Sequence, residues 1–151
     1  MRSISTTTVA CNRDEMACDL QATHGGTLKF KVKTKISAAD NPLFYPKPFL
    51  IGYCGGLEKA QEIISYVQSA KEPMKVKNKG CEFIILTEDK KIYTFVNPHN
   101  WIEINEPHYA IGSGMHYAMG ALKAGASPKD AVLAASKLDP STGMGVKVIT
   151  V

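Results

Sequence analysis

Thr6-Thr7-Thr8-Val9-Ala10-Cys11-Asn12-Arg13-Asp14-Glu15-Met16-Ala17-Cys18-Asp19 is the stretch whose reading decides the fold. A β-branched run opens it, a polar break at Asn12, Arg13 and Asp14 interrupts it, and a small apolar run ends on a carboxylate. That is the outline of a hairpin, with strands over Thr7–Cys11 and Met16–Asp19. An antiparallel hairpin brings its open ends together, so the threonines and Asp19 become neighbours. A threonine near an N-terminus and beside a carboxylate suggests a nucleophile whose base is its own α-amine.

Outward from the hairpin the chain alternates between two periods. Met1 to Ser5 is a short polar leader, and Thr23-His24-Gly25-Gly26 reads as a turn. Leu28 to Ile36 alternates strictly, with Leu28, Phe30, Val32 and Ile36 on a buried side and Lys29, Lys31, Lys33 and Lys35 opposite. Residues 37–48 hold three prolines and read as a loop, and Pro48 to Cys54 as a buried strand ending at Gly55-Gly56. Leu57, Ala60, Ile63, Ile64, Val67 and Ala70 then share one helical face, with Pro73 closing the helix. Cys81–Leu86 and Ile92–Val96 flank a second hairpin turn, and Trp101–Ile104 and His108–Ile111 are further strand candidates. Gly112-Ser113-Gly114 turns the chain into a helix over Met115–Ala124, with Met115 and Met119 packing inward. Ser127-Pro128-Lys129-Asp130 starts another helix reaching Leu138, with Ser127 as the cap. Val146–Val151 is a closing strand. Hairpins imply antiparallel sheets, and two separate helix blocks can cover the outer faces of two stacked sheets. The expectation is an α+β fold, a four-layer αββα sandwich.

A chain of 151 residues, 44% hydrophobic and 21% charged, fits one soluble globular domain with its own core. A net charge of +4 does not call for nucleic acid. A lysine strand can bind single-stranded nucleic acid, but such sheets add stacking aromatics, and Phe30 alternates to the buried side. Cys11, Cys18, Cys54 and Cys81 lack metal spacing and sit in apolar runs, which reads as buried reduced thiols. No apolar run approaches the roughly 20 residues of a membrane span, so a cytoplasmic protein without membrane contact is expected. His24, His99, His108 and His116 are scattered and are assigned no catalysis. No cofactor or metal is expected.

Five segments occur in the order seen in proteasome β-type subunits: Thr-Thr-Val-Ala at 7–10, Ala-Cys-Asp-Leu-Gln-Ala-Thr at 17–23, Lys-Thr-Lys-Ile at 33–36, Ile-Gly-Tyr-Cys-Gly-Gly at 51–56 and Ala-Ile-Gly-Ser-Gly at 110–114. The chain resembles that family, and is similar to its compact HslV-like bacterial and phage members, which also share Leu-Asp-Pro-Ser-Thr-Gly near the end. The resemblance implies the N-terminal-nucleophile hydrolase fold, with residues 1–6 as a leader or propeptide and 7–151 as a single domain. By position it makes Thr7 the nucleophile, Asp19 the acid beside it, Lys35 the lysine paired to that acid, and Gly55 the oxyanion donor. Ser113, Asp139 and Thr142 become the group that orders the terminus and its water, and Tyr53 lies near the substrate pocket. Cleavage after apolar residues is the preference expected. Peptides or unfolded proteins become the substrate, a homo-oligomeric ring the assembly, and an ATP-dependent unfoldase the partner, in the bacterial or, for a phage chain, host cytoplasm.

Three features of the chain bear on that implication. Six residues precede Thr7 and none is glycine, whereas a family propeptide ends in glycine. Thr6 is the alternative first residue, since some relatives begin Thr-Thr-Thr-Val. Lys35 shares strand parity with Lys29, Lys31 and Lys33, so singling it out requires a bulge or break. Two functions follow from this: a threonine peptidase active after leader removal, or a non-catalytic assembly protein of the same fold that keeps Met1–Thr6 over its cleft.

Overall fold

The computed structural model describes residues 4–76 and 80–151. In chain order the strands are β1 (Ile4–Thr6), β2 (Val9–Asn12), β3 (Glu15–Asp19), β4 (Gln21–His24), β5 (Leu28–Lys31), β6 (Ile36–Ala39) and β7 (Phe49–Gly56). Helix α1 (Leu57–Ser69) follows, then β8 (Cys81–Thr87), β9 (Ile92–Asn97), β10 (Asn100–Ile104) and β11 (His108–Ile111). Helices α2 (Met115–Lys123) and α3 (Pro128–Leu138) and strand β12 (Val146–Thr150) complete the chain. The expected four-layer αββα sandwich is what forms.

One sheet has eight strands in the order β10-β9-β8-β7-β1-β4-β5, with β6 also beside β7; the other has four, β11-β2-β3-β12. Strand parity sends alternate residues to opposite layers. Val9, Cys11, Met16 and Cys18 meet Ile36, Leu50, Ile84, Leu86 and Ile92 between the sheets. Ala10 and Ala17 point the other way, against Ala118, Leu122, Ala131, Val132 and Ala135 of α2 and α3. Phe49, Ile51 and Tyr53 face α1 through Ala60, Ile63, Ile64 and Val67. The two sheets approach closely at Gly52, where a Cβ would stand 2.8 Å from Val9 Cγ1 and 2.9 Å from Met16 Sδ. All four cysteines are buried free thiols, and burial pushes the Cys11 thiol up to about 12.

The helices follow their expected signals. α1 buries Ala60, Ile63, Ile64 and Val67 of the expected stripe, leaves Leu57 half-buried, and ends at Ser69, before Ala70 and Pro73 are reached. Ser127 caps α3, its Oγ accepting from Asp130 N at 3.2 Å, with Pro128 in the first helical position.

Several strands differ from expectation. Leu28–Ile36 is not one strand: it breaks after Lys31 and resumes at Ile36, so parity does not carry through. β5 is exposed throughout, with Leu28 at 54% and Phe30 at 40%, because it is a sheet edge with no layer above it. Part of the expected 37–48 loop is β6, and Gln21–His24, read partly as a turn, is a strand whose turn begins at Gly25. The first hairpin starts at Val9, since Thr8 has a positive φ of 49° that ends regular strand geometry. Ile4–Thr6, read as a polar leader, is an internal strand; Met1–Ser3 lie outside the described residues.

Candidate functional site

The site forms where the open end of the first hairpin meets the break between β5 and β6 and the turn after α3. Lys35 stands in that break. Its backbone is anchored on both sides, N–H donating to Cys18 Sγ at 3.4 Å and carbonyl accepting from Tyr53 N at 3.1 Å. Its side chain is therefore free of the parity of Lys29, Lys31 and Lys33 and enters the interior, where it is completely buried. There Nζ pairs with Asp19 Oδ1 and donates to the Thr7 carbonyl at 2.6 Å. Asp19 Oδ2 accepts from Gly143 N at 3.0 Å. Burial pushes the Asp19 carboxyl up to about 6 against the pull of Lys35, and the same burial holds the Lys35 ammonium below its usual range.

A second cluster runs through hydroxyls. Ser113 Oγ donates to Asp139 Oδ2 at 2.5 Å, and Thr142 Oγ1 donates to the same oxygen at 2.7 Å. Burial alone would raise the Asp139 carboxyl, but these donors hold it below its usual value. Thr8 Oγ1 lies 2.7 Å from Thr142 Oγ1, whose one proton is committed to Asp139, so Thr8 is the donor. Thr7 Oγ1 donates to the Ser141 carbonyl at 2.7 Å and stands 3.2 Å from Thr142 Oγ1. The Thr7 hydroxyl thus joins this second cluster, while its carbonyl joins Lys35 and Asp19.

Gly55 stands across from the first threonines. Thr6 is its Cα partner in the β1–β7 ladder, and Thr6 Oγ1 donates to the Gly55 carbonyl at 3.0 Å. Gly55 has φ of 98°, and a Cβ there would fall 2.0 Å from the Gly80 carbonyl oxygen. Close packing on Gly80 therefore demands glycine, independently of any substrate.

The structure brings Thr7, Asp19, Lys35, Ser113, Asp139 and Thr142 into one connected network, with Gly55 one residue from Thr7 across the ladder. Sequence reasoning missed Thr8, Gly143 and Cys18 as members. Thr8 had a visible signal, a third hydroxyl in the same run; the contacts of Gly143 N and Cys18 Sγ leave no pattern in sequence. Among the described residues, no group of three or more His, Cys, Asp or Glu could hold a metal ion, and no helix is long and apolar enough to cross a membrane.

No protein-family model matches the chain, and no curated protein does. Solved structures do. BPH from Thiobacillus denitrificans, in complex with epoxomicin, aligns with a TM-score of 0.75 and 18% identity over 96% of this chain and 98% of that one. HslV from Trypanosoma brucei aligns with a TM-score of 0.70 and 16% identity over 95% and 98%. Anbu from Pseudomonas aeruginosa, described as a helical assembly, gives 0.70 and 11% over 96% and 81%. What is shared at such identities is architecture, and it is the architecture of the HslV-like, proteasome β-type N-terminal-nucleophile hydrolases.

Proposed function

We propose that this chain is a threonine-type peptidase subunit that uses Thr7 as its nucleophile once Met1–Thr6 have been removed. The observation that carries this reading is β1. Ile4–Thr6 lies as an antiparallel strand between β4 and β7, in register Thr6 with Ala22 on one side and Gly55 on the other. An extended peptide held by backbone on both sides is how a cleft binds a strand irrespective of sequence. In this register the residue just before Thr7 stands opposite Gly55, which supports reading the Thr6–Thr7 peptide bond as the bond to be cut.

The chemistry follows from what each group can hold. In the uncleaved chain the Thr7 nitrogen is an amide and cannot act as a base, and the hydroxyl donates to the Ser141 carbonyl. Attack of Thr7 Oγ on the Thr6 carbonyl carbon forms an ester, breaks the C–N bond, and leaves the hydroxyl proton on the freed α-amine. Water then hydrolyses the ester and releases Met1–Thr6. The new α-amine titrates near neutral pH, at about 7.7–8.0, and takes the hydroxyl proton in each later attack on a peptide carbonyl. The Gly55 N–H stabilises the oxyanion. Lys35, held beside Thr7 by Asp19, places positive charge near that amine and disfavours its protonation. Asp139, with Ser113 and Thr142, orders the terminus.

A second reading has its own support: a non-catalytic assembly subunit that keeps its leader. Thr6 and Thr7 are buried, and the Thr7 hydroxyl makes no hydrogen bond to Lys35. Intact mass of the purified full chain separates the two. Loss of Met1–Thr6, blocked by Thr7→Ala, with an epoxyketone adduct on Thr7, is the expected result. A chain that retains Met1 under all conditions and takes no adduct is an assembly protein. In either case, likeness to HslV and Anbu supports a homo-oligomer; for the enzyme, unfolded substrates and an ATP-dependent unfoldase remain what the family resemblance of the sequence implies.

A further inference from the structure

We infer that the cleft selects an acidic side chain immediately before the cleaved bond, with Lys33 as its counter-charge; this rests on the peptidase reading above. Directly paired residues of adjacent strands project to the same face, so the Thr6 side chain shares the face of Gly55 and, two residues back along β7, of Tyr53. That is the α1 side of the sheet. A cavity of about 590 Å³ lies there, between the β5–β6 break, β7 and α1. Thr6 is small and does not line it; Tyr53, on the face Thr6 shares, does, and a longer side chain at position 6 would extend toward it.

The lining sets the chemistry. Lys33, Thr34, Ser37, Tyr53, Gln61, Ser65 and Gln68 present one cation, four hydroxyls and two amides, and no carboxylate lines the cavity. Lys33 forms no ion pair among the described residues, whereas Lys35, two positions on, is saturated by Asp19. Glu62, the acid of α1 with a cation in reach, pairs with Lys59 at 3.7 Å. A large apolar side chain would find Val32, Ile64 and the Tyr53 ring but would strip water from the hydroxyls and amides without replacing it. A lysine or arginine would meet Lys33 as a like charge. A glutamate brings an opposite charge to Lys33, and an acceptor to a wall in which Thr34 Oγ1 already donates to the Ile36 carbonyl and Gln68 Nε2 to the Ala38 carbonyl. The acidic preference inferred from this lining differs from the apolar preference expected from sequence.

The chain's own β1 allows a test that needs no catalysis. In the full chain carrying Thr7→Ala, which cannot cut itself, Thr6→Glu and Thr6→Gln are compared with Lys33 present and in Lys33→Glu. Both substitutions lose the Thr6 hydroxyl equally, so their difference reads the charge. Thr6→Glu is expected to melt about 2 °C above Thr6→Gln with Lys33 present, and at or below it in Lys33→Glu. Equal melting in both backgrounds, or a Thr6→Glu chain that fails to fold where Thr6→Gln folds, overturns the inference. With Thr7 exposed, kcat/KM for a peptide with glutamate before the cut is expected to exceed that for glutamine at least about fivefold. Preference for leucine overturns the specificity and spares the peptidase. A melting difference without cleavage of any peptide leaves the pocket standing and removes the peptidase reading.

Discussion

Lys35 and Asp19 have left water together, and their fate is shared. Removing one partner of a buried pair strands the other's charge, which costs about 3–5 kcal/mol, whereas replacing both by apolar residues is close to neutral. Lys35→Met is therefore expected to lower the unfolding free energy by about 3 kcal/mol, and Lys35→Met with Asp19→Leu to recover most of it, in urea titrations. Both abolish the proposed activity, so stability and catalysis part company in the double variant. The pair also gives a pH signature. The folded-state carboxyl of Asp19 sits at about 6, above its ordinary 3.8, so the folded chain keeps a proton that the unfolded chain has released. Stability from this group is complete below pH 4 and falls as pH rises through 6. The melting temperature of the parent minus that of Asp19→Asn is expected to shrink between those pH values; a difference that grows contradicts the assignment. At this scale the sequence was half legible. It named Asp19 and Lys35 but could not say why Lys35 differs from three neighbours of the same parity, because the answer is a strand break made by contacts with Cys18 and Tyr53. It passed over Thr8, whose role depends on a backbone angle.

Elements were legible where a period runs long enough to be read. α1 repeats its apolar stripe over thirteen residues, and α3 carries a cap and a proline at its start. β1 has three residues and no period; it is a strand because β4 and β7 offer it two edges. β5 does alternate, but an edge strand without a covering layer buries neither face, so the pattern misled. The glycine pair ending β7 shows how neighbours in sequence can differ. Gly55→Ala would drive a Cβ into the Gly80 carbonyl at 2.0 Å, from a φ of 98°, whereas a Cβ on Gly56 meets nothing within 4 Å at a φ of −63°. Gly55→Ala is expected to destabilise by about 3 kcal/mol or more and to disturb the β7–β8 ladder, and Gly56→Ala to stay within about 0.5 kcal/mol. Thermal unfolding of both variants side by side decides it; equal losses would mean that Gly80 yields.

Across the whole molecule, the four layers leave the outer faces of α2 and α3 uncovered. Tyr117, Leu133 and Leu138 are exposed there at 44%, 37% and 61%. Exposed large apolar side chains on these two helices offer surface to a partner, and the proposed homo-oligomer supplies a second copy. Light scattering at micromolar concentration is expected to give a multiple of the 16.4 kDa chain, and Leu133→Glu with Leu138→Glu to reduce it toward that mass. A parent that scatters as a monomer removes the assembly.

The position of β1 has one more consequence. With it, the larger sheet is continuous from β10 to β5; without it, β4 and β5 are parted from β7 and, among the described residues, no backbone ladder joins the two pieces. Release of the leader would open a slot one strand wide, with unmet donors and acceptors on both walls. Whatever fills the slot has to surrender several consecutive backbone groups, which a chain in a helix or within a sheet has already committed. Folded proteins would thus be refused by their own hydrogen bonds, with no need for a gate, and the proposed peptidase would sort its prey by conformation first and by side chain second.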